Sequence, residues 1–126
     1  MVLLLAIAAG GAAGALMRYG CSLAAQRMTG SLFPWGTMFV NLAGSLLLGF
    51  FATLFAEYLV SREVRGFLLI GLFGSFTTFS TLMFEGASFL KDKDYFYAVL
   101  NLGGSVILGL LFIFLGSLAA KALIKG

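Results

Sequence analysis

The chain has 126 residues, 61% hydrophobic and 10% charged, with a formal net charge of +3 and a mean hydropathy of +1.07. A water-soluble domain carries about a quarter charged residues, so this composition excludes one. It has no histidine and a single cysteine, which rules out an intrachain disulfide, a Cys/His metal cage and the commonest general base.

The first uncharged stretch, Met1 to Met17, predicts a span over about residues 2–26. No Lys or Arg precedes its apolar run, so it reads as a retained helix, although the small residues Ala6 to Ala8 resemble a cleavage pattern. Cys21, near its end, reads as a small buried hydrophobe. After a short loop, Pro34 suits the start of a second helix and Trp35 an interfacial anchor. This second span runs over 34–57. A third is predicted over 66–90, and the polar KDKD turn at 91–94, with Asp94 as N-cap, leads into a fourth over 95–121. Each span reaches the roughly 20 residues that cross a hydrocarbon core. The loops are too short to hold a further domain, so whatever this chain does it does within the bilayer.

The third span contains Gly74-Ser75-Phe76-Thr77-Thr78-Phe79-Ser80-Thr81. Glycine and β-branched Thr weaken a helix, and hydroxyls compete for its backbone hydrogen bonds. The expectation is an all-α membrane protein of four transmembrane helices with the third broken mid-membrane. Non-helical backbone at that depth survives only when buried in protein or lining a site, and such breaks bind ions.

Lys and Arg give no orientation. The N-terminus, second loop and C-terminus share Arg62, Arg65, Lys121 and Lys125, against Arg27, Lys91 and Lys93 opposite, with Arg18 deeper on that side. Without a bias the chain is expected to insert both ways, and opposite copies then pair as an antiparallel, dual-topology dimer. Asn41-Leu42-Ala43-Gly44-Ser45 and Gly49 recur as Asn101-Leu102-Gly103-Gly104-Ser105 and Gly109. That repeat reads either as a close-packing face or as pore lining.

Four of the five acids lie in loops or at helix ends, Glu85 being the exception, and no catalytic constellation can be assembled; the reading is not an enzyme. The candidate lining groups are Asn41, Asn101, Thr77, Thr78, Phe79, Ser80 and Thr81. Hydroxyls and amide N–H groups donate to anions, and phenyl edges are partially positive. With no charge mid-span to hold an ion, these groups favour a small anion in a narrow neutral pore and leave its identity open.

Three motifs carry a resemblance over nearly the whole chain: Gly14-x-x-x-Arg18, Gly36-Thr37-x-x-x-Asn41-Leu42 and Thr77-Thr78-Phe79-Ser80-Thr81. On these the chain resembles the Fluc (CrcB) family of bacterial fluoride channels. The resemblance implies passive fluoride export across the cytoplasmic (inner) membrane, through narrow pores in an antiparallel dimer, protecting the cell from fluoride. It implies a structural sodium ion at the dimer axis on the backbone carbonyls of Gly74 and Thr77. It also implies a fluoride path past Asn41, Phe79, Ser80, Thr81 and Glu85, with Arg18 near the mouth and Tyr97 and Ser105 on the fourth span. Departures fall at Leu82, where the family has a second phenylalanine, at Met83, at Ser75 and at Gly109, where a hydroxyl is expected one turn beyond Ser105. The missing ring opens the reading of a partner that is a non-identical paralogue. Two other readings remain: a proton-coupled small multidrug exporter, which needs a membrane carboxylate that the first span lacks, and a non-transporting scaffold, which leaves the hydroxyl run unexplained. Fluoride, sodium, lipid and a second copy are the expected partners, and nucleic acid is not.

Overall fold

The computed structural model describes residues Met1–Gly126. Its helices long and apolar enough to cross a membrane are four: Val2–Thr29, Trp35–Glu57, Arg62–Lys91 and Tyr95–Lys125. The first, α1 (Val2–Thr29), stops at Gly30, whose φ of 55° is left-handed and whose N–H closes on Gln26 O at 2.9 Å. This is the usual role of a glycine at a helix C-terminus. The second, α2 (Trp35–Glu57), begins after Pro34 and has no cation in its own last turn. Arg65 from the next span supplies one, donating to Phe55 O.

The third span is composite. The four-residue α3 (Arg62–Arg65) is capped by Ser61, whose hydroxyl accepts from Val64 N. A π-helical segment, Gly66–Phe73, follows, then a single turn, α4 (Gly74–Phe76). The backbone is non-helical over residues 77–79 and resumes as α5 (Ser80–Lys91). Lys93, at a left-handed φ of 59°, forms the next turn. Asp94 Oδ1 accepts from Tyr97 N at 3.3 Å and so caps α6 (Tyr95–Lys125).

The expected break is present but shorter than the sequence implied. Gly74 to Phe76 remain helical, and Gly71 before them serves to admit α1, since a Cβ there would lie 2.6 Å from Ile7 O. The π-helical wind has no sequence signal, since it depends on hydrogen-bond register and not on residue type. Cys21 is half-buried and not a core residue.

Two close pairs build the bundle. The π-helical segment and α4 lie on α1, α2 lies on α6, and α5 completes the molecule against α6. Small residues let backbones meet, as membrane helices require where no hydrophobic drive separates protein from lipid. A Cβ on Gly10 would strike Phe67 O, one on Gly14 would strike Leu72 O, and one on Gly116 would strike Leu46 O. Only 21 of 126 residues are buried, so most apolar side chains face outward, as a chain solvated by lipid tails permits. Gly116→Val is expected to push α6 off α2 and to destabilise the protein by about 1–3 kcal/mol. Gly103→Ala, where a Cβ meets nothing within 4 Å, should leave it unchanged; thermal melts in detergent compare them.

Candidate functional site

Asn41 of α2 holds the break. Its Nδ2 donates to Thr78 O at 3.0 Å, and its Oδ1 accepts from Thr78 N at 2.7 Å. A carboxamide has the donor and acceptor of a peptide, so one side chain satisfies both backbone groups of a residue that has left the helix. Gly44, one turn along α2, makes the approach possible, because a Cβ there would strike Thr77 Cγ2.

Both ends of the gap are finished by side chains. Thr77, extended at φ −82° and ψ 159°, turns its N and Oγ1 back onto Phe73 O at 3.2 and 3.0 Å. Arg18 Nε donates to Ser75 O at 3.0 Å, placing a cation where the first half-helix presents its negative end. On the far side, Thr78 Oγ1 accepts from Thr81 N at 3.3 Å, the geometry of a helix N-cap. In an uninterrupted α-helix the amides of Thr78 and Thr81 would close on Gly74 O and Thr77 O. Here both are diverted, to Asn41 Oδ1 and Thr78 Oγ1.

Beside the break lies a cavity of about 280 Å³. Asn41, Ser45, Thr77, Thr78 and Ser105 form its polar wall, with Phe79 and Leu82 among its apolar lining, and no ionisable side chain borders it. Phe79 is 73% exposed, standing at an open face of the chain, whereas Leu82 is only 5% exposed and packs inward. Ser105 is buried, its hydroxyl directed at Met38 Sδ at 3.6 Å. Ser80 is exposed and Thr81 half-buried, and neither borders this cavity.

Glu85 sits one turn beyond Leu82 on α5. Thr37 Oγ1 donates to its Oε1 at 2.5 Å, and Asn101 Nδ2 lies 3.4 Å from its Oε2. Asn101 is fully buried and its Oδ1 has no donor. Glu85 borders two cavities at the end of the bundle where α1 joins α2 and α5 joins α6: one of about 200 Å³ with Ser22, Gln26 and Phe33, the other of about 450 Å³ with Ser88, Asp92 and Asp94. Tyr97 lies at this end, its ring 5.7 Å from Phe33 and 5.6 Å from both Phe89 and Phe96. Phe84, 77% exposed, borders the outer cavity and not the break.

Ser80, Thr81 and Gly74 apart, the candidate residues thus fall into three groups. Asn41, Phe79, Leu82 and Ser105 meet at the break, with Thr77; Glu85 and Tyr97 occupy the outer end; Arg18 supports the half-helix. Gly74 is exposed, and a Cβ on it would find only Leu69 O, at 3.7 Å. Thr37 carries no site signal of its own in the sequence, although Gly36-Thr37 stands within the Asn41 motif. Thr78 reads there as one hydroxyl among several, since its part is played mainly by backbone.

This assembly of a break, an asparagine clamp and a neutral cavity can be set beside known proteins. The family described as CrcB-like protein, Camphor Resistance (CrcB), matches residues 5–117. The chain belongs to this family. A CrcB relative from Thermus thermophilus, named fluoride-specific ion channel FluC, is 44% identical over 120 residues, 95% of this chain and 94% of its own. One of the same name from Maridesulfovibrio salexigens is 47% identical over 119 residues, 94% of each chain. Another from Opitutus terrae is 42% identical over 126 residues, 98% of this chain and 96% of its own. With four helices able to span a bilayer, this CrcB chain is a multi-pass membrane protein.

Asn41→Leu strands two backbone groups, each costing about 1–3 kcal/mol when unsatisfied. The Thr78 amide is expected to exchange its hydrogen at least about tenfold faster, as read by hydrogen–deuterium exchange, while amides in α1 keep their protection.

Proposed function

We propose that this chain is a fluoride channel: two copies, inserted in opposite senses, carry fluoride passively down its gradient and relieve the cell of the anion. The observation that carries the reading is the cavity at the break, lined by amide and hydroxyl groups and a phenyl ring with no ionisable side chain. A small, strongly hydrated anion must exchange water for donors. A neutral set of donors does this without the deep binding that a Lys or Arg would impose, and conduction needs an exit as much as an entrance. The names of the relatives support the same ion.

The second copy is supported by the open side of the cavity. Phe79 at 73% and Val106 at 58% exposure leave it unclosed at a face of the chain, and closure needs protein from elsewhere. Without a cation bias either orientation is available. In this reading the cytoplasmic membrane of a bacterium houses the dimer, Glu85 and Tyr97 border its outer vestibule, and Ser80 and Thr81 line the path only once the partner is in place. Arg18 supports the path through the half-helix.

A structural sodium ion fits the backbone. Hard cations take oxygen ligands, and Gly74 O and Thr77 O are the carbonyls whose helical amides are spent on Asn41 and Thr78. Gly74 is exposed, so its carbonyl and that of a partner copy can share one ion. The ion's part is to join the two breaks by charge, while Asn41 holds each in shape.

Fluoride efflux from proteoliposomes is expected with chloride excluded, and Asn41→Asp or Phe79→Ile should abolish it. Wild-type protein that passes no fluoride overturns the reading. A C-terminal tag is expected on both faces of the membrane in comparable amounts; protection of the tag on one face alone would remove the antiparallel dimer.

A further inference from the structure

The polar side chains of the break cavity differ in what they have left to give. Thr77 Oγ1 is turned to Phe73 O, Ser105 Oγ to Met38 Sδ, Asn41 spends its carbonyl and one N–H on Thr78, and Thr78 Oγ1 accepts from Thr81 N and keeps only its O–H. Ser45 borders the same cavity and makes no hydrogen bond within the chain, and its hydroxyl is not sealed from the cavity. A serine in a membrane helix ordinarily bonds back to the carbonyl four residues earlier, here that of Asn41. A hydroxyl without a partner in an apolar setting is costly, and the cavity is a space that Ser45 borders.

The opposite wall leaves room for one. A Cβ added to Gly109 of α6 would have Ser45 Oγ as its nearest neighbour, at 3.8 Å. The two positions therefore face each other across the α2–α6 groove, and only one of them carries a side chain. Ser45 lies four residues after Asn41, so its hydroxyl and the remaining Asn41 N–H share one helix face, about 5–6 Å apart at their Cβ atoms.

We propose that Ser45 is a donor site for the permeating anion, one turn from Asn41, with the missing side chain of Gly109 providing the space. The assignment rests on the channel reading. It makes the α2 wall, and not the α6 wall, the source of the hydroxyl at this level.

Fluoride efflux from proteoliposomes is compared for the wild type, Ser45→Ala, Ser45→Thr and the double variants Ser45→Ala/Gly109→Ser and Ser45→Ala/Gly109→Ala. Ser45→Ala is expected to lower the flux about tenfold, the worth of one lost hydrogen bond, with an unchanged elution volume on gel filtration. Ser45→Thr and Ser45→Ala/Gly109→Ser, which each keep one hydroxyl in the groove, retain most of the flux, and Ser45→Ala/Gly109→Ala does not. Conduction by Ser45→Ala at the wild-type rate overturns the site while leaving the channel reading standing. Repair by Gly109→Ala as complete as by Gly109→Ser assigns Ser45 to packing and overturns it too. A wild-type chain that carries no fluoride overturns the channel reading and this site with it.

Discussion

The carboxamide of Asn41 lying against the backbone of Thr78 is the interaction on which the rest depends. A membrane helix cannot simply stop halfway, because its freed N–H and C=O groups find no water. Asn41 answers both groups of Thr78 at 2.7 and 3.0 Å, and this fixes where the third span opens. From that one clamp follow the extended Thr77, the new helix start at Ser80, and the release of Gly74 O and Thr77 O from their helical donors. The clamp in turn requires that nothing stand between α2 and the break, which is why position 44 is glycine. Arg18 completes the arrangement from the other side by meeting the carbonyl end of α4.

The same geometry separates functions that the sequence bunches together. Polar residues divide into a neutral cavity lined from α2, the break and α6, and an acidic outer end where Glu85 of α5 accepts from Thr37. The anion pathway proposed above is consistent with this division: the break cavity offers only neutral groups, while the carboxylate is occupied by hydrogen bonds a turn away. The repeat in α2 and α6 is likewise not symmetric in its use. Asn41 binds backbone, whereas Asn101 lies beside a side-chain carboxylate and is fully buried. Gly49 is packed against Ile113, yet a Cβ on Gly109 would meet only Ser45 Oγ, at 3.8 Å.

Leu82 shows how much can turn on one side chain. At 5% exposure it is directed into its own chain, while Phe79, three residues earlier, stands outward at 73%. Phe79 is the N-cap of α5, with helical dihedrals and its carbonyl accepting from Met83 N at 2.9 Å, so ring and leucine belong to the same helix start. Their difference in exposure reflects what lies beside each: Leu82 packs within the chain, whereas little of this chain covers Phe79.

The sequence by itself determined the four spans, the polar turn capped by Asp94 and the existence of a break, because each follows from local rules: hydrocarbon thickness, capping chemistry and helix propensity. It also determined the family, through the three motifs around Arg18, Asn41 and Thr77 to Thr81. The tertiary structure alone decided that the break is confined to residues 77–79, that the span before it winds as a π-helix, and that Thr37 meets Glu85. It also decided that Ser45 is left with an unspent hydroxyl. Those outcomes depend on which backbone group reaches which side chain across two helices. Such pairings are set by interhelical distance and register, where glycines at positions 10, 14, 44 and 116 permit contact without specifying it.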